Sequence, residues 1–193
     1  MKQKTKDYTI LIDCDDTIID LLEPWVKELN KRFNLTVSVD DITAWDMHLF
    51  FPTLTHEELI SPLIDQDFWR ALKPKADAVE ILPKLIKEGY SIYVCTATDY
   101  RNFGVKVGDL LLKYFPDLTE RQIISCIHKQ MILGDILIDD NILNLVDGQY
   151  QGFLFTAQHN KTLDSVKLLQ NKIHRVNNWY ECYDLIHKMC PIT

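Results

Sequence analysis

The stretch YTILIDCDDT, residues 8–17, joins a short run of apolar and β-branched residues directly to a cluster of acids. The run from Tyr8 to Ile12 is typical of a strand that is buried in a parallel sheet. Carboxylates are costly to bury without a partner, so Asp13 and Asp15 must lie at the mouth of that strand rather than in a packed core. In open α/β sheets this end faces the crevice where ligands bind. The stretch therefore predicts an α/β fold with chemistry at the end of its first strand.

Composition narrows the class of protein. The 193 residues are 47% hydrophobic, enough for one substantial core with a small inserted module. No run approaches the roughly 18 apolar residues of a membrane span, and no apolar stretch follows the polar start, so we expect a cytoplasmic protein that makes no membrane contact. A net charge of −7 argues against a nucleic-acid partner, because binding a polyanion needs a basic face. Five cysteines without a CxxC pair favour reduced thiols over disulfides or zinc.

Short apolar runs alternate with amphipathic stretches along most of the chain. This alternation predicts parallel strands connected by crossover helices, which is an α/β architecture. The predicted strands cover 8–12, 90–95, 122–126, 136–138 and 152–155, and the predicted helices cover 76–88, 105–115, 163–170 and 179–189.

One segment, residues 20–73, breaks the alternation and contains no convincing strand. Helix-like stretches at 21–33 and 55–65 flank an aromatic-rich stretch at 41–51, which predicts a helical cap inserted into a core made of 1–19 and 74–193. An insertion after the first strand emerges beside the acids, where it can close over them. The aromatic side chains of the cap form either its own small core or a stacking surface for a ligand ring, namely Trp45, Phe50, Phe51, Phe68 and Trp69.

A second acidic pair, Asp139-Asp140, ends the apolar run at 135–138. If neighbouring parallel strands carry this pair and the pair Asp13 and Asp15, three or four carboxylates converge and repel one another unless a cation lies between them. Oxygen ligands of this kind suit Mg²⁺, which also bridges to phosphate oxygens. Taken alone, Asp139-Asp140 before Asn141 is equally well explained as a helix N-cap.

Two further residues complete the predicted site. Thr96 follows the strand over 90–95, where a hydroxyl and free backbone N–H groups can hold a phosphate oxygen, although threonine at this place is also a common turn residue. Lys129 lies just beyond the strand over 122–126, eleven positions before Asp140, and taken alone it is best explained as a solvated surface lysine. In a site lined with carboxylates, one ammonium would neutralise both a nucleophile and a substrate phosphate.

The order Asp-x-Asp, Thr, Lys, Asp-Asp resembles the haloacid dehalogenase (HAD) superfamily of phosphatases with an aspartate nucleophile, and the 5′(3′)-deoxyribonucleotidases among them. The segments DCDDTIID (13–20), VCTAT (94–98), HKQMILGDILIDD (128–140) and LFTAQHN (154–160) carry this resemblance. It implies a Rossmann-like parallel sheet of HAD type with a small helical cap.

The resemblance also implies roles for individual residues. Asp13 would attack phosphorus to form an aspartyl-phosphate, and Asp15 would act as general acid and then as general base. Thr96 and Lys129 would bind the phosphate. The Mg²⁺ ligands would be the Asp13 carboxylate, the Asp15 carbonyl and Asp140, with Asp139 supporting or sharing that role.

The cap departs from the family pattern where a nucleobase would be recognised. Trp45 lies at an aromatic pocket position, but Leu21 and Ala44 stand where the family usually has phenylalanine, and Ala97-Thr98 replaces its Ser-Pro. The expected partner is a nucleoside monophosphate such as dTMP or dUMP, and assembly as a homodimer is left open. Phosphatases of other small phosphoesters and a nucleotide sensor without catalysis are the alternatives.

A cysteine-dependent phosphatase is a rival explanation. Cys95 and Arg101 form a Cys-x5-Arg pattern after a strand. The intervening Thr-Ala-Thr-Asp-Tyr has no glycine and contains an acid, which does not suit a loop of backbone amides around a phosphate. Cys14 lies between two acids, which predicts a raised thiol pKa and a packing role.

Overall fold

A six-stranded parallel sheet forms the centre of the protein. The computed structural model describes residues 7–164, 168 and 172–192, and its sheet has the strand order β5-β4-β1-β6-β7-β8. The first strand, β1, therefore lies between β4 and β6. The strands of this sheet are β1 (Thr9–Ile12), β4 (Ser91–Thr96), β5 (Ile123–Ser125), β6 (Ile136–Asp139), β7 (Gln151–Phe155) and β8 (Ile173–Val176).

Helices connect the strands and cover the sheet. The apolar positions of β1, β4 and β6 are almost fully buried, as expected for strands packed on both faces. The helices are α1 (Leu22–Phe33), α2 (His56–Ile60), α3 (Gln66–Ala71), α4 (Ala76–Glu88), α5 (103–114), α6 (Ile142–Leu145) and α7 (Trp179–Met189). The middle of α5, Lys106–Leu111, is π-helical.

A short antiparallel ribbon lies where the chain leaves and re-enters the sheet domain. It pairs β2 (Ile19–Asp20) with β3 (Lys73–Pro74). Between these two strands the chain forms α1, α2, α3 and the 3₁₀ turns Val39–Asp41, Met47–Leu49 and Ser61–Ile64. The predicted limits of the cap, 20 and 73, fall within the ribbon, and the division into domains stays a prediction.

The aromatic residues of the cap divide between several environments. Phe51 is buried in a hydrophobic cluster that belongs to the cap itself. Trp69 packs instead into the main core together with Leu21 and Leu72. Trp45 remains 57% exposed. Neither sequence interpretation therefore holds for all of these residues, since one packs in the cap, one packs on the sheet and one is left at the surface.

The predicted α/β class and the five predicted strands are confirmed, and each strand end lies within one residue of its predicted position. Two parts of the pattern were not predicted. The ribbon strands are only two residues long, and β8 carries His174 and Arg175 at an edge of the sheet, so neither shows a long apolar run. The predicted helix over 163–170 lies largely outside the described residues. No helix in the described ranges has the length and apolar character that spanning a bilayer requires.

Candidate active site

The predicted site residues meet at one edge of the sheet. Because β1 pairs in parallel register with β4 and β6, Ile12 lies beside Val94 and Ile138, and the residues that follow these strands emerge together. The backbone N–H of Asp13 donates to the Ile138 carbonyl at 2.8 Å, which extends the pairing by one residue. Asp13, Asp139 and Thr96 are thus fixed by backbone geometry at the carboxyl ends of three adjacent strands.

A buried ammonium connects two of these carboxylates. Lys129, which lies in the 3₁₀ turn Lys129–Met131, donates to Asp13 Oδ1 and, at 2.5 Å, to Asp139 Oδ2. Burial alone would lower the pKa of Lys129, but the charges of Asp13 and Asp139 outweigh burial and hold that pKa above its ordinary value. Burial raises the pKa of Asp13 to about 7 even though Lys129 opposes the shift.

Three carboxylates, which we call the acidic cluster, lie together around this lysine. One oxygen from each of Asp13, Asp139 and Asp140 lies within 4.8 Å of the others, and all three residues are buried. Burial, reinforced by the charges of Asp13 and Asp139, raises the pKa of Asp140 well above its usual range. One ammonium cannot neutralise three carboxylates, so this donor set fits a divalent cation with oxygen ligands.

The two acids of the Asp139-Asp140 pair have different surroundings. Asp139 Oδ1 accepts from the backbone N–H of Asn141 at 2.8 Å and from Asn144 Nδ2 at 3.1 Å, while its other oxygen holds Lys129. The Asp140 backbone carbonyl, in contrast, accepts from Asn160 Nδ2 at 2.8 Å and lies 3.2 Å from His159 Nε2. Asp139 is therefore saturated by protein donors, whereas the carboxylate of Asp140 is oriented through its backbone.

His159 was assigned no role from the sequence, yet it contacts both the acidic cluster and the cap. Its Nε2 lies 3.6 Å from Asp140 Oδ2, and its ring meets the Trp45 ring edge-on with centroids 5.0 Å apart. Burial lowers the pKa of His159, which favours the neutral form of the ring beside Asp140. The LFTAQHN segment thus positions Asp140 through its last two residues.

Asp15 is bound by a lysine that the sequence interpretation did not include. Lys106 Nζ donates to Asp15 Oδ2 and to Thr96 Oγ1, both at 2.7 Å, and its side chain is fully buried. Burial alone would lower the pKa of Lys106, but the Asp15 charge outweighs it and raises that pKa. The sequence did contain a signal for this role. Lys106 lies about one turn before Leu110, on the helix face whose other residues are apolar and buried.

Asp16, for which the sequence suggested no role, connects the loop after β1 to the cap. Its backbone is left-handed, with φ 54°. Its Oδ1 accepts from the backbone N–H groups of Leu21 and Leu22, each at 3.0 Å, at the start of α1. Burial raises the pKa of Asp16 to about 6. The acid thus holds the first turn of the cap against the loop that carries Asp13 and Asp15.

A cleft and a pocket open next to these groups. The cleft has a volume of about 270 Å³ and includes Asp13, Asp15, Lys129 and Asp140 in its lining. The adjoining pocket, which we call the cap pocket, has a volume of about 210 Å³. The cap pocket is lined by Asp15, Asp16, Leu21, Leu22, Trp25, Ile42, Ala44, Trp45, Met47, Leu63, Asp140 and His159. Trp45 lines both spaces. The three cap residues named from the sequence, Leu21, Ala44 and Trp45, all line the apolar cap pocket beside the acids.

The cysteine-dependent alternative finds no support in the structure. Cys95 is fully buried, and burial raises the pKa of its thiol to about 12, which makes it a poor nucleophile at neutral pH. Arg101 is exposed and is bound to Asp99 through two nitrogens at 2.8 Å. The predicted rise of the Cys14 pKa is confirmed, with burial as its main cause. All five cysteines are free thiols.

Comparison with known proteins matches nearly the whole chain to one family. The profile of the family described as "5' nucleotidase, deoxy (Pyrimidine), cytosolic type C protein" matches residues 7–190. The chain is 31% identical over 181 residues to a 5′(3′)-deoxyribonucleotidase of Clostridium acetobutylicum, covering 94% of this chain and 96% of that protein. It is also 31% identical over 173 residues to a 5′(3′)-deoxyribonucleotidase of Bacillus subtilis, covering 89% and 94% of the two chains.

Solved structures share the fold at much lower sequence identity. A haloacid dehalogenase-like protein from Agrobacterium tumefaciens superposes with a TM-score of 0.64 at 14% identity, covering 95% of this chain and 99% of that one. A HAD family hydrolase from Deinococcus radiodurans, solved with bound phosphate and sodium, superposes with a TM-score of 0.61 at 12% identity, covering 97% and 98%. These neighbours establish a HAD-type fold for the sheet and its cap.

Proposed function

The chain belongs to the cytosolic type C 5′-deoxynucleotidase family and is a phosphatase of HAD type, and on that premise we propose that it is a Mg²⁺-dependent phosphomonoesterase. Its proposed substrates are (deoxy)ribonucleoside monophosphates such as dTMP and dUMP. The observation that supports the proposal is the acidic cluster around Lys129, because it brings the proposed nucleophile Asp13, the ammonium of Lys129 and two further carboxylates within one small volume.

The fit of Mg²⁺ rests on the donor set. Asp139 is held by Lys129 and by two asparagines, which leaves the Asp13 and Asp140 carboxylates as the proposed side-chain ligands. The Asp15 backbone carbonyl is the third proposed ligand, and Asp139 acts through Lys129. Mg²⁺ bound there would neutralise the surplus negative charge and withdraw charge from the phosphate oxygens.

The first proposed step transfers the phosphoryl group to the protein. A carboxylate oxygen of Asp13 attacks phosphorus, the bond from phosphorus to the 5′-oxygen breaks, and Asp15 gives a proton to that oxygen as it leaves. Lys129 lies against Asp13 and offsets the charge that accumulates on the transferred group. The Thr96 hydroxyl, whose oxygen accepts from Lys106, donates a hydrogen bond to a phosphate oxygen.

The second proposed step regenerates the protein. Asp15, now ionised, takes a proton from a water molecule, which attacks the aspartyl-phosphate and releases inorganic phosphate. Water must reach the phosphorylated Asp13 in this second step, but it must be excluded from the site during the first step. We propose that the cap controls this access of water by staying closed until the nucleoside leaves. Trp45 of the cap contacts His159 at the edge of the site.

The cap pocket supports a small, apolar substrate group. Its volume of about 210 Å³ is below the roughly 300–1,000 Å³ of pockets for drug-sized ligands, which suits a single nucleobase. Leu21 and Ala44 line the pocket with aliphatic groups, so a ring is held there mainly by burial of its faces. Burial of the thymine methyl group adds about 0.8 kcal/mol, which favours dTMP over dUMP by a few-fold.

The test is a phosphate-release screen of dTMP, dUMP, dAMP, dGMP and sugar phosphates, each with Mg²⁺ and with EDTA. We expect activity only with the metal, and the highest kcat/KM with dTMP and dUMP. If sugar phosphates react as well as dTMP, the nucleotidase assignment is wrong while the phosphatase assignment stands. If activity survives EDTA and is abolished by Cys95→Ser, the aspartate mechanism is wrong.

The covalent intermediate has its own test. After an acid quench during turnover of dTMP, mass spectrometry of the proteolysed enzyme should find one phosphoryl group on the peptide that contains Asp13. The Asp13→Asn variant is the matched control, since its amide cannot form the acyl phosphate. Phosphate found on any other peptide, or none in a quench that captures turning-over enzyme, contradicts the mechanism.

A further inference from the structure

We propose that Lys106 is a positioning residue that selects which oxygen of Asp15 exchanges the proton with the leaving group. This inference rests on the role of Asp15 under the proposed function. Lys106 lies in the π-helical part of α5, away from the four sequence motifs. Its ammonium contacts Asp15, and Lys106 is not among the residues that line the cleft.

The contacts of Lys106 leave its ammonium little freedom. Nζ donates to Asp15 Oδ2 and to Thr96 Oγ1 at 2.7 Å each, and it lies 4.5 Å from the centre of the Trp69 ring. The indole face attracts the cation and keeps water away from it. Trp69 is itself nearly fully buried, with its Nε1 bound to the Leu63 carbonyl at 2.7 Å. The ammonium is therefore held from three sides.

This arrangement makes the two oxygens of Asp15 unequal. Oδ2 is engaged by Lys106. Oδ1 is buried and has no hydrogen-bond partner within the described part of the chain. A buried carboxylate oxygen without a partner is costly, so it indicates a group that is completed by substrate or water during turnover. Since Asp15 lines the cleft, Oδ1 is the oxygen that we assign to proton transfer.

The local backbone explains how a lysine reaches this place. A π-helical turn is rare and is frequently found at functional sites. Contacts from the cap hold the same segment, since Arg70 Nε bonds Asp109 Oδ2 at 2.8 Å and Asn102 Nδ2 donates to the Leu63 carbonyl at 2.7 Å. Residues of the segment 20–73 therefore contact the chain on both sides of Lys106, at Asn102 and at Asp109.

The experiment compares two substrates that differ in their need for a proton. The 5′-oxygen of dTMP must be protonated as it leaves, whereas nitrophenolate leaves from p-nitrophenyl phosphate without that help. We expect Lys106→Met to lower kcat/KM for dTMP by about 10²-fold, but for p-nitrophenyl phosphate by less than about fivefold. Any effect through Thr96 lowers both values alike, because both substrates carry the same phosphoryl group.

Two further variants make the result specific. In an Asp15→Asn background, Lys106→Met should leave the ratio of the two kcat/KM values unchanged, since no acid remains to be positioned. Lys113→Met, on the exposed side of α5, is the matched control and should leave both substrates unaffected. Thermal melting shows whether Lys106→Met is folded. If it is not, Lys106→Gln, which keeps a hydrogen-bond donor of similar reach, is used instead and should shift the ratio of the two kcat/KM values less, in the same direction.

The outcomes separate this inference from the proposed function. If the wild-type protein hydrolyses both substrates and Lys106 variants lose the same factor on each, Lys106 acts only through the fold or through Thr96, and the inference is wrong. A ratio that still changes in the Asp15→Asn background also contradicts it. If the wild-type protein hydrolyses neither substrate, the proposed function fails instead.

Discussion

The acidic cluster and the cap pocket lie side by side, but charged groups form the first and apolar groups form most of the second. The cluster with Lys129 is made of buried charges held by hydrogen bonds between 2.5 and about 3 Å, on the ends of rigid central strands. The cap pocket is lined mostly by apolar side chains on helices and 3₁₀ turns, and its exposed aromatic, Trp45, contacts His159 and also lines the cleft beside the cluster.

The difference separates chemistry from substrate choice. A buried charge tolerates little change, because removing one partner leaves the other unpaired. An apolar pocket tolerates substitution of similar volume at a small cost. We therefore expect changes in the cluster to lower kcat by orders of magnitude and changes in the cap pocket to alter KM by small factors.

The largest effect is expected at the nucleophile. Asp13→Asn should lower kcat for dTMP by at least about 10⁴-fold, because an amide neither attacks phosphorus nor forms an acyl phosphate. The measurement is phosphate release under saturating substrate. Asp184→Asn, an exposed acid on α7, is the control and should retain full activity. A residual activity within tenfold of wild type would mean that another group is the nucleophile.

The next effect concerns the cation of the cluster. Lys129→Met should lower kcat by about 10²–10³-fold, because the developing charge on the phosphoryl group loses its fixed neutralising partner. It should also lower the melting temperature, since Asp13 and Asp139 then lack their ion pair. Kinetics and thermal melting in Mg²⁺ check both expectations, with the surface variant Lys84→Met as control. An unchanged kcat would remove Lys129 from the mechanism.

A third effect distinguishes the regions by pH. Burial raises the pKa of Asp13 to about 7, above its value in the unfolded chain, so its contribution to stability is present at acidic pH and is lost as the pH rises through about 7. Without metal, we expect the melting temperature to fall between about pH 4 and pH 7, by roughly 2–4 °C for each kcal/mol lost. Saturating Mg²⁺ should restore it, because the metal binds the ionised carboxylates.

The control for this third experiment is Asp13→Asn, in which the loss between pH 4 and pH 7 should be smaller. The expected fall of the melting temperature with pH comes from buried acids alone. A monovalent salt should therefore not reproduce the stabilisation by Mg²⁺. A metal-free protein that becomes more stable over this pH range would contradict the view that the cluster carries surplus negative charge.

The smallest effect is expected in the cap pocket. Trp45→Ala should raise KM for dTMP by about two- to tenfold and leave kcat within about twofold, because the ring contributes stacking area but touches no reacting atom. Leu49→Ala, an equally exposed apolar residue of the cap, is the control. A loss in kcat as large as that of Lys129→Met would mean that the cap takes part in the chemistry and would end the separation between the two regions.

Much of this molecule could be predicted from local pattern. The acids after β1 and at the end of β6 lie at one edge, because a parallel sheet brings the ends of neighbouring strands together and the apolar runs mark those strands. The helices over 76–88 and 179–189 have the predicted bounds because their apolar spacing is regular and their ends carry clear signals, such as Gly89 in left-handed conformation after α4.

Other features escaped prediction for identifiable reasons. Lys106 looks like an ordinary helix residue until the sheet and cap enclose it, and a π-helical turn has no sequence signature strong enough to reveal it. His159 and Asn160 gain a role only because β7 places their turn beside Asp140. The short strands β2 and β3 pair across more than fifty residues, and no local window contains both.

The amino-acid order alone was sufficient for the α/β class, the inserted cap segment as a prediction, and the identity of the acids, the threonine and Lys129 as site candidates. The fold class and the acids follow from periodicity and from the cost of burying charge, which act on neighbouring residues. Thr96 and Lys129 became candidates only through the order of the motifs, which resembles that of the family. Which oxygen of Asp15 is free, which acid of the Asp139-Asp140 pair is saturated, and which side chains line the cap pocket depended on the folded chain. These properties are set by contacts between residues far apart in sequence, whose partners become defined only when the strands and the cap are packed together.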